Sequence, residues 1–157
     1  MTPDELFDAW QDAWSAPEAA AFAPLIDPHD FHYEDPFAVL ETPEQLAAHG
    51  ARLRVGFPDA RLQATGPRLV EKEFACAPMK LVATHKGEFE GLTPTGRFLV
   101  IHGAAYCELR QGRLFRVRVF FDLYGAAVQL GVLPKPGTLG ERALLMLRGF
   151  GLQRQKP

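Results

Sequence analysis

The sequence predicts an α+β domain with helices on one face of an antiparallel sheet, and three observations carry that expectation. Up to about residue 59 the apolar residues recur at helical spacing behind Thr-Pro openings. From Ala60 onward the periodicity changes to two, broken by Pro/Gly turns. The chain has 157 residues, 47% hydrophobic and 23% charged, which suits one domain with a substantial buried core.

The elements follow in order. TPDELFDAWQDAWSA opens a helix: Thr2 is its N-cap, Pro3 lies in the first turn, and Asp4 and Glu5 complement the positive end of the dipole. Leu6, Trp10 and Trp14 then form one stripe, read as core packing. PEAAAFAPLI predicts a short second helix stopped by Pro24 and Asp27-Pro28, and TPEQLAAHGARL repeats the Thr-Pro opening at Thr42 for a third. His49 in that third helix is read as a surface or packing residue. Four strands are predicted from RLQATGPRLVEKEFACAP, MKLVATHKGEFEG, RFLVIHGAAYCEL and RLFRVRVFFDL, with RQGR as a hairpin signal. A last helix, from about Leu139 to Arg148, is apolar enough to need a partner surface. The expected division is one domain over 1–134 and a helical extension over 135–157 that packs on it or on a dimer partner.

Composition narrows the function. With 17 basic against 19 acidic residues and no block of like charge, neither nucleic acid nor an anionic membrane is the expected partner. No stretch reaches the roughly 18 apolar residues that span a bilayer and no basic leader precedes an apolar run, so a cytoplasmic protein is expected. Cys76 and Cys107 are read as buried thiols. Phosphate-loop, dinucleotide and zinc spacings are absent, and His29, His32 and Asp35 make only a weak metal pattern. Acid/base chemistry by carboxylate, histidine and tyrosine remains.

Strand parity sorts the candidates. In RLFRVRVFFDL, Phe115, Val117, Val119, Phe121 and Leu123 share one face, while Leu114, Arg116, Arg118, Phe120 and Asp122 share the other. Asp122 is a helix cap, a solvated strand end, or an acid/base group in a pocket. His85 shares an apolar face with Leu81, Ala83 and Phe89, and His102 lies with Val100, Ala104 and Tyr106. A histidine so placed is either a satisfied core residue or a proton donor and acceptor. Phe31, Tyr33 and Asp35 share parity in HDFHYEDPF, which otherwise reads as a strand edge before a Pro turn.

THKGEFEGLTPTGR (Thr84 to Arg97), FPDARL (Phe57 to Leu62) and FFDLYGAAVQLGVLP (Phe120 to Pro134) resemble the SnoaL-like polyketide cyclase family of the nuclear transport factor 2-like superfamily. The resemblance runs from the first helix to Pro134. It implies a cone-shaped, strongly curved antiparallel sheet whose N-terminal helices enclose a pocket, a homodimer through the sheet, and neither metal nor organic cofactor. The family's reaction is an intramolecular aldol cyclisation of a hydrophobic or aromatic small-molecule ligand, with the aspartate of Asp-x-x-Gly-x-x-x-Gln-Leu-Gly as acid/base. The matching residues are Asp122, Gly125, Gln129, Leu130 and Gly131. On this basis Asp122, His85 and His102 are the catalytic candidates, and Tyr33, Tyr106, Arg118 and Phe120 the substrate-binding ones. Arg118 would either pair with Asp122 or hold an anionic group of the ligand. Aldol cyclisation or isomerisation next to a carbonyl is thus the expected reaction, with epoxide or ester hydrolysis and non-catalytic binding as the alternatives on the same fold.

Overall fold

The computed structural model describes residues 1–152. Helix α1 (Pro3–Ser15) starts on a reciprocal cap: Thr2 N–H donates to Glu5 Oε2 at 2.7 Å, and Glu5 N–H to Thr2 Oγ1 at 3.3 Å. A short α2 (Ala19–Phe22), strands β1 (His32–Glu34) and β2 (Val39–Leu40), and α3 (Pro43–Gly56) follow. The same cap recurs on α3 between Thr42 and Gln45, so the repeated Thr-Pro opening has one cause at both sites. Then come β3 (Arg61–Ala64), β4 (Leu69–Glu71), β5 (Phe74–Thr84), β6 (Phe98–Arg110), β7 (Arg113–Phe121), α4 (Leu123–Leu130) and α5 (Leu139–Leu152).

The strands form one curved sheet in the order β2-β1-β7-β6-β5-β3, with β4 also on β5. The predicted meander is present in β5, β6 and β7, which pair antiparallel. The expected first strand divides into β3, β4 and the start of β5, because Gly66-Pro67 and the turn at Lys72-Glu73, with Lys72 at φ +55°, interrupt it. HYE adds β1, and it pairs parallel to β7, with Tyr33 opposite Val117.

The pocket placement of Arg118 and Phe120, expected from the resemblance, is corrected. Val117 is 1% exposed and packs with Trp10, Phe22 and Phe31 under the helices, whereas Arg118 and Phe120 point outward and Phe120 is 56% exposed. The helices cover only one face, and desolvating two guanidiniums costs several kcal/mol each where burying a valine gains about 2. The apolar face therefore goes inward and the arginine face to water. A bulge opposite Glu108/Leu109 also turns Leu114 inward, leaving Phe115 between the guanidiniums of Arg110 and Arg116 at 3.4 and 3.9 Å.

Candidate functional site

Between α1, α3 and the inner face of the sheet lies a cavity of about 60 Å³. Its wall is apolar, with Trp10 and Trp14 from α1, Met79 and Leu81 from β5, and Val119 and Phe121 from β7. Strand β1 places Tyr33 in the wall, and the turn after it adds Asp35. A wider groove of about 670 Å³ passes His29, His32 and Glu41 on the outside. Its charges pair among themselves, as in Arg116 with Asp30 at 3.1 Å, so the apolar cavity is the stronger site.

Asp35 is the centre of the cavity's polar chemistry. Its Oδ1 accepts from the backbone N–H of Phe37 at 2.7 Å and of Ala38 at 2.8 Å. Its Oδ2 accepts from the Tyr33 hydroxyl at 2.9 Å and from His49 Nε2 at 2.7 Å. The Asp35 side chain is 4% exposed and that of His49 3%. Burial pushes the carboxyl up, but the bonds from His49, Phe37 and Tyr33 outweigh it and hold Asp35 below the ordinary carboxylate range. Burial, with the adjacent Asp35 charge, pushes the Tyr33 phenol well above its ordinary 10. His49 donates from Nε2, which leaves Nδ1 to accept from Arg52 Nη2 at 3.4 Å. Arg52 in turn pairs with Glu90 at 3.5 Å.

Of the seven sequence candidates, Tyr33 lines this cavity. His85 lies on the inner face as its parity predicts and is 0% exposed, but among apolar neighbours, stacked on Phe57 at 5.2 Å. Its Nδ1 lies 3.2 Å from the Thr95 hydroxyl and 3.3 Å from the Thr95 N–H, which ties down the loop between β5 and β6. His102 and Tyr106 are exposed on the outer face, and Tyr106 stacks on Phe74 there. Arg118 is bound to Glu34, Nη2 to Oε2 at 2.9 Å, and pairs with neither Asp122 nor the cavity.

Asp122 is exposed, contrary to the expected apolar pocket. It is the N-cap of α4, its Oδ1 accepting from Gly125 N–H at 2.8 Å. A Cβ on Gly125 would collide with that carboxylate. Gln129 donates Nε2–H to Val100 O and accepts Val100 N–H at Oε1, both at 2.9 Å. Gly131, at φ +80°, ends the helix under the Arg97 guanidinium. In this chain the Asp-x-x-Gly-x-x-x-Gln-Leu-Gly residues clasp α4 to β6.

The sequence reading passed over Asp35 and His49, although signals for both were present. Asp35 shares parity with the buried Phe31 and Tyr33, and His49 falls in the Leu46, Gly50, Leu53 stripe of α3.

A curved sheet with helices over one face is the ketosteroid isomerase-like fold of small α+β proteins. The family model for SnoaL-like polyketide cyclase matches residues 4–130, and the chain belongs to that family. Among solved structures it is similar to AclR of Streptomyces galilaeus, assigned as a hydroxylase, at 19% identity and TM-score 0.71 over 98% of this chain and 97% of that one. A protein of Jannaschia sp. CCS1, assigned as a SnoaL-like polyketide cyclase, is 22% identical with TM-score 0.71 over 85% and 98%. A protein of ketosteroid isomerase-like fold from Catenulispora acidiphila, solved with trimethylamine, is 20% identical with TM-score 0.68 over 83% and 95%. A search of curated protein sequences returns no match. No helix among the described residues is long and apolar enough to cross a membrane.

Proposed function

We propose that the protein is a small-molecule enzyme of the cyclase or isomerase type, in which Asp35 takes a proton from a carbon next to a carbonyl. The position of Asp35 carries this reading: an ionised carboxylate on a largely apolar wall, with Tyr33 and His49 on one of its oxygens. Its lone-pair positions are filled by four donors, so Oδ2 gains a proton only as one of them lets go. Tyr33 is the donor that lines the cavity. As the C–H proton moves to Oδ2, negative charge develops on the substrate's carbonyl oxygen, and the released Tyr33 hydroxyl donates to it. The raised pKa of Tyr33 keeps that proton on the phenol. Asp35, held low, is a weak base, which suits carbon acids flanked by two carbonyls. Ring closure follows when the enolate carbon is folded against a second carbonyl, and reprotonation at another carbon gives isomerisation.

The test is deuterium incorporation at the central carbon of ethyl acetoacetate in D₂O, compared with the buffer rate. Asp35→Asn is expected to lose roughly 100- to 10,000-fold of the enhancement. Equal rates for parent and Asp35→Asn would remove Asp35 from the chemistry. They would favour the second reading, a non-catalytic binding cavity in which the saturated Asp35 only supports the fold.

The proposed partner is a second copy of the chain. Phe98, Tyr106 and Phe120 expose aromatic surface on the outer sheet face, with Phe74 beside Tyr106. These residues lie on the face of the sheet opposite the buried Val117 and Val119. Leu145, Met146 and Leu147 of α5 add exposed apolar surface beyond the domain and are proposed to pack in the same assembly.

A further inference from the structure

We infer that the cavity selects a compact anionic substrate, a carboxylate-bearing carbonyl compound, through Arg54 and Arg61; the inference rests on reading the cavity as the substrate site. Besides Asp35, these arginines are the charged residues of its wall. Five arginines elsewhere find carboxylates: Arg52, Arg68, Arg110, Arg116 and Arg118. Among the described residues, Arg54 and Arg61 have none within ion-pair distance.

Arg54 is held in place by neutral groups. Its Nη1–H donates to Pro58 O at 2.8 Å, and its Nη2 to Ala60 O at 3.1 Å and to Ser15 O at the end of α1. These carbonyls fix the guanidinium without cancelling its charge. Its Nε–H is buried and has no acceptor among the described residues. Arg61 stands exposed on the edge strand β3. A fixed guanidinium beside an exposed one suits a planar carboxylate. The small volume restricts the enclosed part of the ligand to a short chain.

The geometry therefore divides the ligand: its acidic C–H and carbonyl lie toward Tyr33 and Asp35, its carboxylate toward Arg54 and Arg61. Asp35 keeps its negative charge, its four donors stabilising without cancelling it, so the ligand's carboxylate is held at the arginine end of the cavity.

The test uses 4-oxopentanoate and its neutral amide, 4-oxopentanamide, titrated by protein-observed NMR. The acid is expected to bind at least about 10-fold more tightly than the amide, as a charge-assisted pair requires. Arg61→Gln should weaken the acid roughly 3- to 10-fold and leave the amide unchanged. Arg54→Gln should abolish the preference, with its melting temperature followed because Arg54 also ties α1 to the turn before β3. Arg61→Gln keeps the inference open to refutation if Arg54→Gln fails to fold. No preference for the acid in the parent protein, including no binding of either probe at millimolar concentration, overturns the inference. An acid preference that survives in Asp35→Asn supports the anion site whatever the deuterium exchange shows, so the two readings fail separately.

Discussion

His49 Nε2 lies 2.7 Å from Asp35 Oδ2, and both side chains are almost wholly buried. The contact joins α3 to the turn after β1 across the roof of the cavity. Removing the imidazole leaves a buried charge one donor short, so His49→Ala is expected to cost about 2–3 kcal/mol. Urea denaturation of His49→Ala, Asp35→Asn and the double variant checks this. A coupling energy near zero would mean that the pair does not stabilise the fold.

Acid should loosen the same region first. The folded-state pKa of Asp35 is depressed, so its contribution is fully present above the ordinary carboxylate value near pH 4 and is lost as pH falls through the lower folded value. Asp27, Asp59 and Glu5 shift the same way and add to the acid limb. The stability gap between parent and Asp35→Asn is therefore expected to shrink below about pH 4. A gap constant from neutral pH to about 2 would contradict the assigned ionisation.

Asp122 and Asp35 should separate cleanly by mutation. Asp122→Ala removes the α4 cap and is expected to cost about 1 kcal/mol, with deuterium exchange within roughly 3-fold of the parent. The exchange assay decides between the two aspartates. A loss of 100-fold or more in a folded Asp122→Ala would return the chemistry to the outer carboxylate.

The two faces of β7 should respond oppositely to charge. Phe120→Glu on the exposed face is expected to give a folded monomer from a dimer burying at least about 1,000 Å². Val117→Glu, in the core, should prevent folding. Light scattering with circular dichroism reads both, and a monomeric parent at micromolar concentration would rule out the proposed assembly.

The legible parts of the fold were those set by local chemistry. The Thr-Pro openings, the hairpin meander, and the inward side of His85 follow from caps and period two within a few residues. Alternation alone does not say which face the helices will cover, and on β7 that choice decides everything about Asp122. The desolvation cost of Arg116 and Arg118 was the clue; exposed Phe120 obscured it. Helix α4 was not among the predicted elements, because its Gly125 and Gly131 are tied to the Asp122 cap and to the distant Arg97. The Asp35–His49 contact spans 14 residues between different elements, so only its two faces, and not the pairing, could be inferred from spacing.

The Gln129 amide has a role beyond holding α4. Strand β7 ends opposite Gly103, so the N–H and C=O of Val100 on that side of β6 have no strand to meet. Gln129 meets both, acting as a single residue of absent strand. An open stretch of central strand with exposed Phe98 beside it would be a template for a foreign chain. The side chain thus guards the sheet against fibre-like association, and Gln129→Ala should shorten the lag before aggregation on mild heating even where equilibrium stability falls little.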